Sequence, residues 1–245
     1  MVTNGNISFE EMKDKIFCED CMEVMQSLPD ESIDLIVTDP PYMIRARGMS
    51  GLGGLLKGKE SLKGHVFEHD AIDIKDYIEL FYKILKIGGH CYVMCNGYNF
   101  LHFLDVIRGS RFKFCKMLIW DKQNVIANQY YMNGFEYIFF LYKEKAVPIN
   151  NCGTSDILKF VNIKTKDSYG NNIHNSQKPV SLMQCLIENS TQEGELVLDP
   201  FMGSGTTAIA CIRSKRHYIG CEIDPKYYKV TIDRIEREKR TPTLF

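Results

Sequence analysis

Residues 195–210 read ELVLDPFMGSGTTAIA, and the way this stretch folds governs the rest of the chain. ELVLD is an apolar run of strand length that ends on a carboxylate; a glycine turn follows, then a helical start over 206–212. Gly203, Gly205 and Ala208 keep the G-x-G-x-x-G/A spacing, which lets a strand turn sharply into a helix and lets a ligand approach bare backbone. HYIGCE (217–222) is the next strand, and its last residue, Glu222, lies close to the ~20-residue offset at which an acid accepts hydrogen bonds from ribose hydroxyls. Strand, turn, helix and acid in register predict a nucleoside-binding crevice rather than a packing turn that happens to carry glycines.

Outward from this unit, strands and helices alternate, which predicts an α/β fold with a doubly wound, mostly parallel, Rossmann-like sheet. Strands are expected at 15–18 (KIFC), 33–38 (IDLIVT), 91–95 (CYVMC), 114–120 (FCKMLIW) and 136–142 (EYIFFLY). Helices are expected at 21–28, at 74–86 with Gly88-Gly89 closing it, at 98–108, from near Pro179, and from near Pro225. Two stretches break the pattern. Residues 43–70 are rich in glycine and lysine and too long for a plain connection, and 143–178 are polar with weak periodicity; loops of this kind usually carry function.

At 245 residues the chain suits a single α/β domain. No apolar stretch is long enough to span a bilayer, and the polar, acidic start lacks the apolar core of a signal peptide. Nine scattered cysteines fit reduced thiols in a cytoplasmic protein; Cys18 and Cys21 form a C-x-x-C without a second pair at zinc spacing, so no metal is expected. The formal net charge of −1 gives no global signature for nucleic acid, but bases cluster locally. Arg45, Arg47, Lys57, Lys59 and Lys63 crowd one loop, and Lys159, Lys164, Lys166 and Lys178 lie in the other. Such clusters are where phosphates would be held on a near-neutral protein.

The glycine crevice alone admits an NAD enzyme, with a pyrophosphate on the helix N-terminus, or a methyltransferase binding S-adenosylmethionine (SAM). A second motif separates them. The buried strand IDLIV runs into TDPPY (38–42), where Pro40 and Pro41 have no N–H to give a neighbouring strand, so the sheet stops there. D-P-P-Y first and F-M-G-S-G-T-T near the C-terminus, with the Q-K-P of HNSQKPVSL (174–182) just upstream of the glycines, resembles the DNA amino-methyltransferases of the circularly permuted beta class. The resemblance runs from Phe17 to about Ile235. It implies methyl transfer from SAM to the exocyclic amine of adenine or cytosine in double-stranded DNA.

The resemblance also implies roles. Asp39 and the carbonyl of Pro40 would accept the hydrogens of the target amine, with Pro41 stiffening the segment and Tyr42 stacking on a base flipped from the duplex. Asp199, Phe201, Gly203, Ser204, Gly205, Thr206 and Thr207 would surround the methionine part of SAM, Glu222 its ribose, Asp20 its adenine, and Lys178 its carboxylate. Adenine N6 is the expected target, because N4-cytosine enzymes more often carry serine in place of the acid. No proline is followed by cysteine, which excludes the Pro-Cys nucleophile of C5 methylation. His65, His69, His90 and His174 receive no catalytic role, and the only tryptophan, Trp120, is expected in the core. Target recognition falls to 143–173 with help from 43–70. A homodimer and a cognate restriction endonuclease are the expected partners. An NAD-linked oxidoreductase and a non-catalytic DNA-binding module are the readings from other classes.

Overall fold

The computed structural model describes residues 7–41, 72–126, 131–163 and 177–240. One eight-stranded sheet organises them. Its strands are β1 (Lys15–Phe17), β2 (Ile33–Thr38), β3 (Leu85–Cys95), β4 (Lys113–Ile126), β5 (Asn133–Tyr142), β6 (Ile157–Lys159), β7 (Leu196–Asp199) and β8 (His217–Cys221). Their spatial order is β1-β8-β7-β2-β3-β5-β4-β6. Every pairing is parallel except those of β5, which runs antiparallel to both β3 and β4. The expected mostly parallel, doubly wound sheet is therefore present.

The strands are apolar on both faces because helices cover both. In β2, Ile36 packs into one core while Leu35 and Val37 pack into the other; in β3, Val93 and Met94 divide the same way. Helices α1 (Phe9–Met12), α2 (Cys21–Ser27), α3 (Ile74–Ile84) and α4 (Phe100–Gly109) supply side chains to the first core. Helices α5 (Val180–Ser190), α6 (Thr206–Arg213) and α7 (Pro225–Arg240) supply the second. Trp120 lies in this second core, 1% exposed, with its indole N–H donating to the Phe160 carbonyl at 2.8 Å. His90 is structural as well: its Nε2 sits 2.9 Å from the Val147 carbonyl, which requires the proton on that nitrogen. Nδ1 is left to accept from Ser190 Oγ at 2.8 Å, and burial lowers the histidine's pKa.

The structure corrects three local expectations. Gly88-Gly89 does not close a helix: α3 stops at Ile84 and β3 begins at Leu85. The two glycines lie where the register against β2 jumps from Ile33↔Leu85 to Leu35↔His90, and Gly88, at φ +80°, donates its N–H to the Lys143 carbonyl. They serve an irregularity in a strand. β4 runs beyond both ends of the apolar run that announced it, and β5 starts before its own, because the two strands satisfy each other's backbone as a long antiparallel pair out to Ile126↔Asn133. Finally, the polar stretch 143–178 contains a strand, β6, which adds to β4 at the sheet edge. Residues 43–70 lie outside the described residues.

The order of strands has a direct consequence for the motifs. β1, β8, β7 and β2 are parallel neighbours, so Asp20, Glu222, Asp199 and Asp39, which follow or end them, share one carboxyl edge of the sheet. That edge is where ligands bind in open α/β sheets.

Candidate active site

The two motifs meet through a pair of neighbouring strand ends. β2 and β7 are in register at Leu35↔Val197 and Ile36↔Leu198, which brings Thr38 beside Asp199. Thr38 Oγ1 donates to Asp199 Oδ1 at 2.7 Å, Thr207 Oγ1 donates to Oδ2 at 2.5 Å, and the Phe201 N–H donates to Oδ1 at 3.1 Å. Asp199 is thus a buried hub joining the end of β2, the turn after β7 and the first turn of α6. Its burial raises its pKa to about 6, against the pull of these three donors.

The glycine turn is shaped from outside by α7. Gly203 and Gly205 both take positive φ, +57° and +79°, which favours glycine. A Cβ on Gly205 would stand 2.8 Å from Thr231 Cγ2. Thr231 donates its hydroxyl to the Gly203 carbonyl at 2.7 Å, and Arg234 donates to the carbonyl and hydroxyl of Ser204. On the crevice side, Glu222 accepts from the Gly203 N–H and from the Asp224 N–H, each at 2.9 Å. Burial pushes the Glu222 pKa up to about 7 despite those two donors. Asp20 caps α2, accepting from the Met22 N–H at 2.8 Å. The Phe201 ring rests edge-on against Tyr77, centroids 5.3 Å apart.

At the β2 end, Asp39 is mostly buried and Pro40 is buried. Asp39 Oδ2 pairs with the ammonium of Lys178, which is 8% exposed, while Oδ1 is buried without a hydrogen-bond partner among the described residues. Burial raises the Asp39 pKa; the Lys178 charge pulls it down and the Glu136 carboxylate pushes it up. Lys178 also faces Glu136 Oε2 at 3.5 Å, and Glu136 in turn holds Lys122 at 2.8 Å.

The chain's similarity to known proteins matches this geometry. Residues 33–233 match the family of DNA methylases acting at N6 or N4 amines. The chain belongs to the N6/N4 DNA methylase family. Among its relatives is the type II methyltransferase M2.DpnII of Streptococcus pneumoniae, 29% identical over 243 residues, which span 91% of this chain and 89% of the relative. The fold is similar to that of M1.HpyAVI in its SAM complex, with a TM-score of 0.66 and 23% identity over 90% of this chain and 98% of that one. It is also similar to that of the PvuII DNA methyltransferase, described as cytosine-N4-specific, with a TM-score of 0.70 and 18% identity over 94% and 87%. The ligand held in that M1.HpyAVI structure is SAM. The crevice residues fit such a donor: two positive-φ glycines leave bare backbone, and the buried Thr206 Oγ1, at the first turn of α6, has no partner among the described residues.

Of the residues singled out in the sequence, the structure gathers Asp39, Pro40, Pro41, Lys178, Asp199, Phe201, Gly203, Ser204, Gly205, Thr206, Thr207 and Glu222 along the carboxyl ends of β2, β7 and β8 and the segments following them, with Asp20 one strand further at β1. Lys159 is exposed at the end of β6, on the far edge strand of the sheet. Tyr42, Arg45, Arg47, Lys57, Lys59, Lys63, Lys164 and Lys166 lie outside the described residues. Sequence reasoning missed Thr38, Lys122, Glu136, Thr231 and Arg234. Glu136 left a trace, as the one acid heading the apolar run EYIFFLY; Thr231 and Arg234 left none, since they act only through the packing of α7 on the glycine turn.

Two measurements check this construction. Thr38→Val keeps the shape but removes one donor from a buried carboxylate, so it should cost about 1.5–3 kcal/mol in urea unfolding; an unchanged midpoint would remove this bond as the link between the motifs. Glu222 ionises near pH 7 in the folded chain against 4.5 ordinarily, so the folded chain holds that proton more tightly, and the stability it contributes at low pH is lost as pH rises through about 7. Without ligand, the wild type should therefore lose more melting temperature than Glu222→Gln between about pH 5.5 and about pH 8, and parallel profiles would contradict this.

Proposed function

We propose that the chain methylates the N6 amine of an adenine flipped out of double-stranded DNA. The observation that carries this reading is Asp39 Oδ1: a buried acceptor without a partner among the described residues, one residue beyond the Thr38–Asp199 bond that ties it to the glycine crevice. An exocyclic amine is a poor nucleophile because its lone pair is delocalised into the ring. Accepting its hydrogens at Asp39 Oδ1 and the Pro40 carbonyl favours a more tetrahedral nitrogen with its lone pair aimed away from the ring. The prolines fix both acceptors beforehand, so little reorganisation accompanies the transition state. SAM supplies a methyl group already activated on a sulfonium, and no strong general base is needed. Extruding the base costs a few kcal/mol, and stacking on Tyr42 offsets roughly 1–3 kcal/mol of it.

In this reading Gly203, Gly205, Thr206, Phe201 and Glu222 hold the donor, and Asp20 meets its adenine. Arg45, Arg47, Lys57, Lys59, Lys63, Lys159, Lys164 and Lys166 contact DNA, and 143–173 together with 43–70 reads the target site. The acid of D-P-P-Y supports adenine over cytosine. The enzyme is cytoplasmic and DNA-associated; among the described residues no helix is long and apolar enough to cross a membrane. The name of M2.DpnII, a type II methyltransferase, supports pairing with a restriction endonuclease, and a homodimer is the assembly we expect.

Incubating duplex DNA with methyl-labelled SAM and separating the nucleosides tests this. Label is expected in N6-methyladenine; label in N4-methylcytosine overturns the adenine assignment, and no label overturns the reading. Asp39→Ala should lose transfer while still binding SAM, and an active variant would remove Asp39 from its role.

A further inference from the structure

The four ionic side chains beside the D-P-P-Y segment form one buried row. Lys122 Nζ lies 2.8 Å from Glu136 Oε1, Glu136 Oε2 lies 3.5 Å from Lys178 Nζ, and Lys178 pairs with Asp39 Oδ2. None of the four is more than 18% exposed. They come from four places in the sequence: Lys122 from β4, Glu136 from β5, Asp39 from the end of β2, and Lys178 from just ahead of α5. Two cations and two carboxylates alternate, so the row is neutral as a whole and each inner charge has an opposite charge on either side. The Lys122 ammonium also stands 5.4 Å from the centre of the Trp120 ring, which fixes that end of the row in the second core.

The geometry points to Glu136, anchored by Lys122, as a positioning residue for methyl transfer: it holds Lys178 on Asp39 Oδ2 and so keeps Oδ1 turned toward the target amine. This rests on the reading of Asp39 as the acceptor of that amine. Lysine has a long, flexible stem and a point charge. Against Asp39 alone, a buried ammonium has one partner and a choice of rotamers, including ones that reach toward the donor's carboxylate. Between two carboxylates, one of them fixed by a second lysine, it has a single place to sit. The Asp39 carboxylate is then held in one orientation, its charge facing the Lys178 ammonium. Burial works against that charge, and the Lys178 ammonium opposes it. Lys178 itself remains a cation, its pKa raised because the two carboxylates outweigh its burial. The row thus assigns Lys178 to the acceptor, whereas the sequence resemblance assigned it to the methyl donor.

The experiment compares Glu136→Gln, the double variant Glu136→Gln/Lys122→Met, and Lys178→Met with the wild type. The readouts are SAM affinity by calorimetry, single-turnover methylation of duplex DNA, and melting temperature. Glu136→Gln should lower the rate of transfer about 100-fold, the scale of an ångström-sized misplacement, with SAM affinity within about threefold of wild type. It should also melt lower, since an uncompensated cation is left buried. The double variant restores neutrality, with Lys178 and Asp39 alone as a pair, so its melting temperature should recover while its rate stays low. That split separates positioning from bulk stability. A double variant with wild-type rate, or a Glu136→Gln or Lys178→Met variant that loses SAM affinity with the transfer rate intact, would overturn the inference. An active Asp39→Ala variant would instead overturn the reading beneath it. If Asp39→Ala is inactive while Glu136→Gln is fully active, only the present inference falls.

Discussion

The whole site depends on two strands ending side by side. β2 and β7 pair in parallel, and the Thr38 hydroxyl closes the pair by donating to Asp199 at 2.7 Å. Residues far apart in sequence, 38 and 199, are thereby fixed next to each other, and everything that follows each strand is placed with them. Pro40 and Pro41 then take the chain out of the sheet at one end, while Gly203 and Gly205 turn it into α6 at the other. In the proposed reaction, a methyl group passing from a donor on one motif to an amine bound on the other would cross only the gap between neighbouring strand ends. The parallel order supplies that proximity before any ligand arrives.

Burying charge at such a place is costly unless each charge is answered. The two halves of the site answer it differently. Asp199 relies on neutral donors, Thr38, Thr207 and the Phe201 N–H, and its pKa still rises to about 6. Asp39 relies on a full opposite charge, Lys178, which is itself balanced by Glu136 and Lys122. The hydrogen-bonded hub fixes the backbone of the crevice, whereas the ionic row fixes one side chain and leaves one of its oxygens without a partner among the described residues. Glu136 Oε2, also without a hydrogen bond, still faces the Lys178 ammonium at 3.5 Å, whereas no described residue answers Asp39 Oδ1.

Much of this was legible in the sequence because it is local. IDLIVTDPPY and ELVLDPFMGSGTT each carry their own strand, stop and turn, and the alternation of strands with helices implied that both stops lie on one edge. What was not legible depends on partners distant in the chain. Gly88-Gly89 looks like a helix end, yet its role is set by how β3 meets β2. The strand Ile157–Lys159, three residues in a polar stretch, is too short to be seen until β4 offers it an edge. Lys178 reads as one base of a loop cluster, in a Q-K-P box that the resemblance assigns to the donor's carboxylate, and only the pairing of β5 with β3 and β4 brings Glu136 to it. Arg234 is one of many charges on the surface-lying α7 until that helix docks on Ser204.

The central claim is that Asp39 Oδ1 receives the target amine beside the donor crevice. The most direct measurement is a structure of the full chain with duplex DNA and an inert SAM analogue. The account predicts an extruded adenine whose exocyclic nitrogen lies about 3 Å from Asp39 Oδ1, with its open side toward the analogue held between Gly203 and Glu222. An extruded base whose amine is bound elsewhere, with Asp39 Oδ1 still unpartnered, would contradict it.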